Sequence, residues 1–373
     1  MTNSSQPAGA AALAIGTRKG LFLAMTDATH PTGWRVDGPH LLMREVPAVT
    51  FLPAPAGSSA PRLLVGMRSE HWGPTMVRTD DFGATWAEAD TGSIAFPQDC
   101  GAALARVWQL QPDPKDASVV WAGCEPTSLW RSEDGGEHFE LVRGLWDHPH
   151  RPQWAPGFGG AAVHTIVPDP KDGDRVLVAM STGGVYRSSD RGRSWAPSNS
   201  GITAYFLPDP HPEFGQCVHK VAMDAAGPEH LFAQNHHGVY RSEDGGGTWQ
   251  SIADGLPSDF GFVMLAHPSR SGTAWVAPLV ADGQRIPPNG RLRLHRTRDS
   301  GQSWAEVGAG LPDDAWTCVL RDAACVVGSA DRTLLALGTR DGCVYASTDE
   351  GETVTEVARH LPDVLSVRGA WLS

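Results

Sequence analysis

One eight-residue pattern occurs six times in this chain, at intervals of 50 to 56 residues, and a fixed long period of that kind belongs to repeat architectures. The copies span 79–86, 132–139, 188–195, 242–249, 297–304 and 347–354. Each has the form Ser/Thr-x-Asp-x-Gly-x-Ser/Thr-aromatic, with His138 and Val354 as the two departures. The Asp side chain is expected to accept hydrogen bonds from amides two and three residues on, closing a tight turn. The Gly supplies a positive φ without steric cost, and the final Trp or Phe opens the next strand as a core anchor. Each copy therefore reads as a hairpin corner, and the repeated Asp as a turn-former, not a catalytic acid.

The same strand grammar surrounds every corner. In one unit it runs through Val163 to Val167, Val176 to Met180, Gly184 to Ser188, the corner, and then Trp195 and Ala196. Four short strands per unit, with turn signals between them, make a propeller blade. At the N-terminus, Ala14 to Leu23 is followed by a decayed corner at Asp27 that ends in Trp34, in phase with the rest. This first unit lacks an inner strand, and residues 364–372 provide a spare one. The expected fold is therefore an all-β, seven-bladed β-propeller in which a C-terminal strand completes the first blade, removing a free sheet edge.

Composition bounds the rest. A chain of 373 residues with 41% hydrophobic content can bury a large core, and its 42 Gly and 29 Pro suit strands and turns. No linker divides it, so residues 1–373 read as one domain with a disordered lead over residues 1–10. No apolar run approaches the roughly 20 residues of a membrane span, and the lead carries no secretory pattern. Six cysteines without a CxxC pair indicate neither a zinc ribbon nor a disulfide framework, which makes a reducing cytoplasm the expected compartment. The formal net charge of −12, with no basic stripe, argues against nucleic-acid and membrane partners. A small-molecule substrate is the expected partner, and oligomeric state leaves no mark in the sequence.

The corners resemble the Asp-box, or BNR, repeats of sialidases, sortilin-like receptors and many bacterial propellers. The likeness extends over nearly the whole chain and is nearest to bacterial BNR-repeat proteins of similar length. It is carried by Gly16 to Phe22, Trp72 to Thr75, Gly215 to Lys220 and Gln234 to Tyr240 as well as by the corners. The resemblance implies a propeller fold, and function has to be argued from a site. Sialidases carry an Arg-Ile-Pro near their first blade, an arginine triad and a tyrosine nucleophile. Here Arg285-Ile286-Pro287 lies in an insertion of the sixth blade, and Tyr186, Tyr240 and Tyr345 share one strand position that reads as packing. Sialidase activity is not expected.

In a propeller, the loops entering the inner strands and those between second and third strands share one face, opposite the corners. That face is rich in histidine here. His164 and His219 hold equivalent positions on adjacent inner strands, and His236 and His71 sit in second-to-third-strand loops. These four are the candidate ligands for a divalent transition metal: zinc, iron, manganese or copper. Without metal, His164 and His219 with Glu45 and Glu125 could run acid–base catalysis. Arg106, Lys220 and Arg285 are candidates for holding substrate charge. Trp72, Trp154 and Tyr205 are candidates for an apolar wall. Cys217 lies two residues before His219, but a free cysteine reads first as a small buried hydrophobe. Equally, His164 and His219 could be packing residues copied by blade duplication.

Two functions follow. One is a hydrolase or lyase acting on a small polar or sugar-like molecule at the His-lined channel mouth. The alternative is a non-catalytic interaction scaffold. The insertion 278–290, stiff and polar, reads as a lid over the channel.

Overall fold

Each repeat folds into one four-stranded antiparallel sheet, and the described residues contain seven of them. The computed structural model describes residues 9–372 except 28, 31, 32, 56, 57, 59, 90–92 and 158. The inner strands of blades one to seven are Val364–Trp371, Glu45–Leu52, Arg106–Pro112, Val163–Pro168, Val218–Met223, Phe260–Ala266 and Val319–Ser329. Each packs against the inner strand of the next blade around the whole ring, so the chain is a closed seven-bladed propeller. Among the described residues no helix is long and apolar enough to cross a membrane.

Closure follows the sequence reading. Val364–Trp371 pairs antiparallel with Ala11–Thr17, from Ala11 opposite Trp371 to Thr17 opposite Val364. Every residue of Ala11–Thr17 is buried. Most of the expected disordered lead, residues 1–8, lies outside the described residues. Gly9 and Ala10 are ordered, however: Gly9 N donates to Leu372 O at 2.9 Å, and Leu372 N to Ala10 O at 2.8 Å. The closing sheet therefore reaches further toward the N-terminus than composition suggests.

The corners are turns of one geometry: the expected bond from the amide three residues on occurs in the second copy, Glu137 to Asp134 Oδ1 at 3.0 Å, but the bond shared by all six comes from four residues on. In the third copy Asp190 Oδ1 accepts from the Ser194 amide at 2.9 Å, four residues on, and Oδ2 from the Ser194 hydroxyl at 2.5 Å. The Ser188 hydroxyl donates to Asp190 Oδ1 at 2.8 Å and accepts from the Gly192 amide at 2.8 Å. The equivalent residues make all of these contacts in the fourth copy, while in the second His138 Nδ1 replaces the hydroxyl, 2.8 Å from Asp134 Oδ2. The preceding hydroxyl, not the carboxylate alone, thus closes the turn around the glycine, whose φ of 83° in Gly192 needs the left-handed region. Hydrogen bonds from Ser194 and Ser188 pull the Asp190 carboxyl down to about 2. The closing aromatics Trp195, Trp249 and Phe139 are buried, and so is Val354 in the sixth copy. Tyr186, Tyr240 and Tyr345 are buried too, as packing residues of their blades.

At the other face every inner strand breaks register near its start, by one to four residues. In blade three Val107 opposes Cys124 and Gln109 opposes Gly123, so Trp108 is an extra residue. His164 and His219 are the extra residues of blades four and five. Comparable shifts fall between Glu45 and Ala48, between Gly261 and Met264, between Val319 and Ala324, and at Leu365. A β-bulge turns a side chain out of the sheet and ends regular pairing. Seven bulges therefore ring the upper end of the channel.

Candidate functional site

The bulges and their neighbouring loops enclose a cavity of about 630 Å³ at the channel mouth. Its wall takes Pro47, Trp108, His219, Phe262, Arg321 and Leu365 from six bulged strands. Second-to-third-strand loops add Thr182, His236, Asp282 and Arg340. A smaller cleft of about 350 Å³ opens between blades four and five on the corner side. Its Arg175 and Asp169 pair with each other at 3.4 Å, so we place the chemistry at the mouth.

Several candidates converge on this cavity: Glu45, Arg106, His219, His236 and Arg285 all line it. Glu45 is clamped by Arg106 Nη2 at 3.0 Å on Oε1 and by Arg18 Nη1 at 3.3 Å on Oε2. His219 is buried, and its Nδ1 lies 2.5 Å from the Gly261 carbonyl. A carbonyl accepts only, so Nδ1 carries the proton and Nε2 keeps a lone pair. His236 Nε2 stands 3.9 Å from Asp282 Oδ2. Arg285 Nη2 donates to the other oxygen of Asp282 at 2.7 Å, which brings the insertion 278–290 to the edge of the mouth. Burial, followed by the charge of Arg321, pushes His219 well below the usual histidine pKa, and burial lowers His236.

Other candidates are placed elsewhere. His164 is fully buried and does not line the cavity, and its Nε2 makes no hydrogen bond to a described residue. Glu125 stands behind the wall, where Oε2 accepts from Trp108 Nε1 at 3.0 Å. Lys220 is buried below the cavity, its Nζ 2.6 Å from Asp322 Oδ1, and that oxygen also takes Arg368 at 2.9 Å. Trp154 is a packing residue whose Nε1 donates to Tyr186 Oη at 3.0 Å. His71 and Trp72 are exposed on blade two, outside the cavity wall. Tyr205 is exposed, with its ring 5.2 Å from that of His237.

The ligand set implied by these positions differs from the four-histidine one. Among the described residues Cys217, His219 and His236 each bring one possible ligand atom to within 4.8 Å of the others. His219 is the bulged residue of its strand, Cys217 immediately precedes that strand, and His236 comes from the second-to-third-strand loop of the same blade. His164 and His71 do not belong to this group. Sequence reasoning passed over Trp108, Phe262 and Arg321, and took Asp282 only as part of the insertion read as a lid. The signal available for these three was position: they occupy the bulge that His164 and His219 mark in their own repeats.

No family model matches the chain. It is 26% identical over 288 residues to a xyloglucanase of Hypocrea jecorina (strain QM6a), covering 66% of this chain and 30% of that protein. It is 28% identical over 181 residues to a xyloglucanase of Paenibacillus sp, covering 48% of this chain and 14% of that protein. The chain thus spans less than a third of the length of these curated relatives. Among solved structures it resembles an ancestral GH74 enzyme, with TM-score 0.56, 17% identity, and coverage of 87% of this chain and 38% of that one. A GH74 enzyme of Niastella koreensis gives TM-score 0.55 at 14% identity, with coverage of 96% and 68%. YCF48 bound to D1 peptide gives TM-score 0.50 at 14% identity, with coverage of 86% and 83%. At these identities the structural likeness speaks for the fold alone.

Proposed function

We propose that this protein is a hydrolase acting on a small sugar-like molecule in the channel mouth, with Cys217, His219 and His236 holding a divalent transition metal. The observation that carries the reading is the meeting of those three ligand atoms on the wall of the mouth cavity. Similarity to proteins named xyloglucanase supports hydrolysis of a sugar-like substrate. One thiol and two imidazoles form a soft, nitrogen-rich donor set that suits zinc or copper better than manganese. Three protein ligands leave a position for water or substrate, as catalytic zinc sites do. The Nδ1 contact of His219 with the Gly261 carbonyl is the outer partner that a ligating histidine uses to fix its ring.

A metal there would supply Lewis acidity and a more acidic bound water. The residues around it handle orientation and protons. Asp282, held by Arg285 and next to His236, is the carboxylate placed to take a proton from an attacking water. Glu45, clamped between two arginines, is a fixed negative group on the opposite part of the wall. Trp108, Phe206 and Phe262 provide apolar wall that displaces water around the substrate. The cytoplasm as compartment belongs to the same proposal, supported by six free cysteines.

Elemental analysis of tag-free protein grown with trace metals tests the metal. Near-stoichiometric zinc or copper, lost in a Cys217→Ser, His219→Ala double variant that keeps its thermal melt, is the expected result. Wild-type protein without metal would remove the metal from the proposal. A panel of chromogenic glycosides and sugar esters tests the reaction, and failure to cleave any of them would overturn the hydrolase.

One observation favours a second reading as a binding scaffold. Leu42, Met43 and Trp72 are exposed on adjoining loops of blades one and two, where Arg44 Nη1 donates to Ser69 Oγ at 2.5 Å. A stable partner lost on Trp72→Ala, together with metal-free protein, would favour that reading.

A further inference from the structure

The floor of the mouth cavity is an alternating stack of cations and rings. Arg106 lies 5.4 Å from the Trp108 ring centre, and Arg321 lies 5.3 Å from that same ring. On its other side Arg321 lies 5.7 Å from the Phe262 ring centre, and Arg285 lies 5.3 Å from Phe262. Blades three, six and seven thus contribute three guanidinium groups interleaved with two aromatic faces. An aromatic face attracts a cation, which lets like charges approach more closely than they would in an apolar wall.

The outer two guanidiniums already have carboxylates, Arg106 with Glu45 and Arg285 with Asp282. Arg18 and Arg340, which also line the cavity, both pair with Asp363. The central one is different. Arg321 makes no ion pair with a described carboxylate, and its Nε and Nη1 are buried without a hydrogen-bond partner among the described residues. Its neighbour Asp322 is no substitute, because Asp322 Oδ1 is taken by Lys220 and Arg368. The remaining titratable groups near it are Cys217, Arg285, His219, His164 and Lys220, and none of these is a carboxylate. Leaving buried charged donors unmatched is costly, and such a cost is retained where a ligand supplies the missing acceptors.

We propose that Arg321 is the anchor for a carboxylate on the substrate, so that the molecule bound in the mouth is an acidic sugar or a similar monoanion. The planar fork of a guanidinium matches the two oxygens of a carboxylate, which can accept two parallel hydrogen bonds. A single unpaired guanidinium matches a single negative charge better than the two of a phosphate monoester. The rings on either side keep the Arg321 plane from swinging, which sets the orientation of the bound group. This deepens the proposed hydrolase by naming its substrate class, but binding at Arg321 is independent of the metal.

Calorimetric titration of the metal-stripped protein with sodium glucuronate, with glucose and with inorganic phosphate tests it. Glucuronate should bind, more weakly as salt is raised, and at least tenfold more tightly than glucose or phosphate. In Arg321→Ala its affinity should fall about ten- to a hundredfold, the scale of a charge-assisted bond. Arg321→Lys, which keeps the charge and loses the fork, should recover only part of it. Circular dichroism melts confirm that each variant is folded. Equal affinity for glucuronate and glucose, no glucuronate binding, or an unchanged affinity in folded Arg321→Ala would each overturn the proposal. Tighter binding of phosphate would overturn the carboxylate assignment. Glucuronate binding by a protein that never holds metal would leave this inference standing and remove the metal reading.

Discussion

The two faces of the ring are built from the same repeats by opposite means. On the corner face each turn is closed within eight residues, by contacts such as Ser188 to Gly192 and Asp190 to Ser194. On the mouth face, apart from the local pair of Arg285 with Asp282, the charged contacts run between blades. Glu45 of blade two is held by Arg106 of blade three and by Arg18 of blade one, and Arg321 of blade seven stacks on Trp108 of blade three. One face therefore stores its stability in local, satisfied polar contacts and buried aromatics. The other leaves one charged group, Arg321, without an ion pair among the described residues at the cavity wall. Stability and binding capacity are separated onto opposite ends of the blades.

That separation can be broken most directly at a corner aromatic. Trp249 is buried, and its Nε1 donates to the Ser198 carbonyl of the neighbouring blade at 2.8 Å. Trp249→Ala should cost about 3–5 kcal/mol in denaturant unfolding while leaving the ligand affinity of protein that remains folded unchanged. A small cost, or a loss of binding first, would show that the faces are not separate.

A pH series sharpens the comparison. The Asp190 carboxyl sits at about 2 in the folded protein, against an ordinary value of about 3.9 in the unfolded chain. Since the folded value is the lower one, the stabilisation is complete above the unfolded value and is lost as pH falls toward the folded one. Thermal melts of Asp190→Asn should therefore run below wild type at neutral pH, with a shallower decline between about pH 4 and 2. Parallel declines would remove the corner carboxylate from the account of acid stability.

The smallest effect is expected on the other face. Removing Arg321 breaks no ion pair or hydrogen bond with a described residue and loses only its stacking. Arg321→Ala should melt within about 1 kcal/mol of wild type. A loss as large as that of Trp249→Ala would make Arg321 a structural residue.

The contrast also explains which parts were legible. The corners, the blade count and the closing strand could be read because their information is local or periodic: an octapeptide, a recurring interval, a spare strand. The equivalence of His164 and His219 was legible for the same reason, and both do occupy bulges. Yet one faces the cavity and the other is sealed behind it, because neighbouring blades differ at that point. His71, Trp72 and Trp154 were drawn in by their loop positions, but a loop position states which face a residue is on and not how far it lies from the axis. Arg321 was missed because its meaning depends on what it lacks, and a missing partner is a property of the assembled ring.

By itself, then, the sequence determined the period, the turn chemistry and the number of blades, since these depend on backbone preferences acting over a few residues. Only the tertiary structure decided which bulged side chains meet at the axis, which charges are paired, and that Cys217 joins two histidines while Arg321 has no ion pair among the described residues. Those outcomes arise from distances between blades far apart in the chain, which ring closure sets and no single repeat contains.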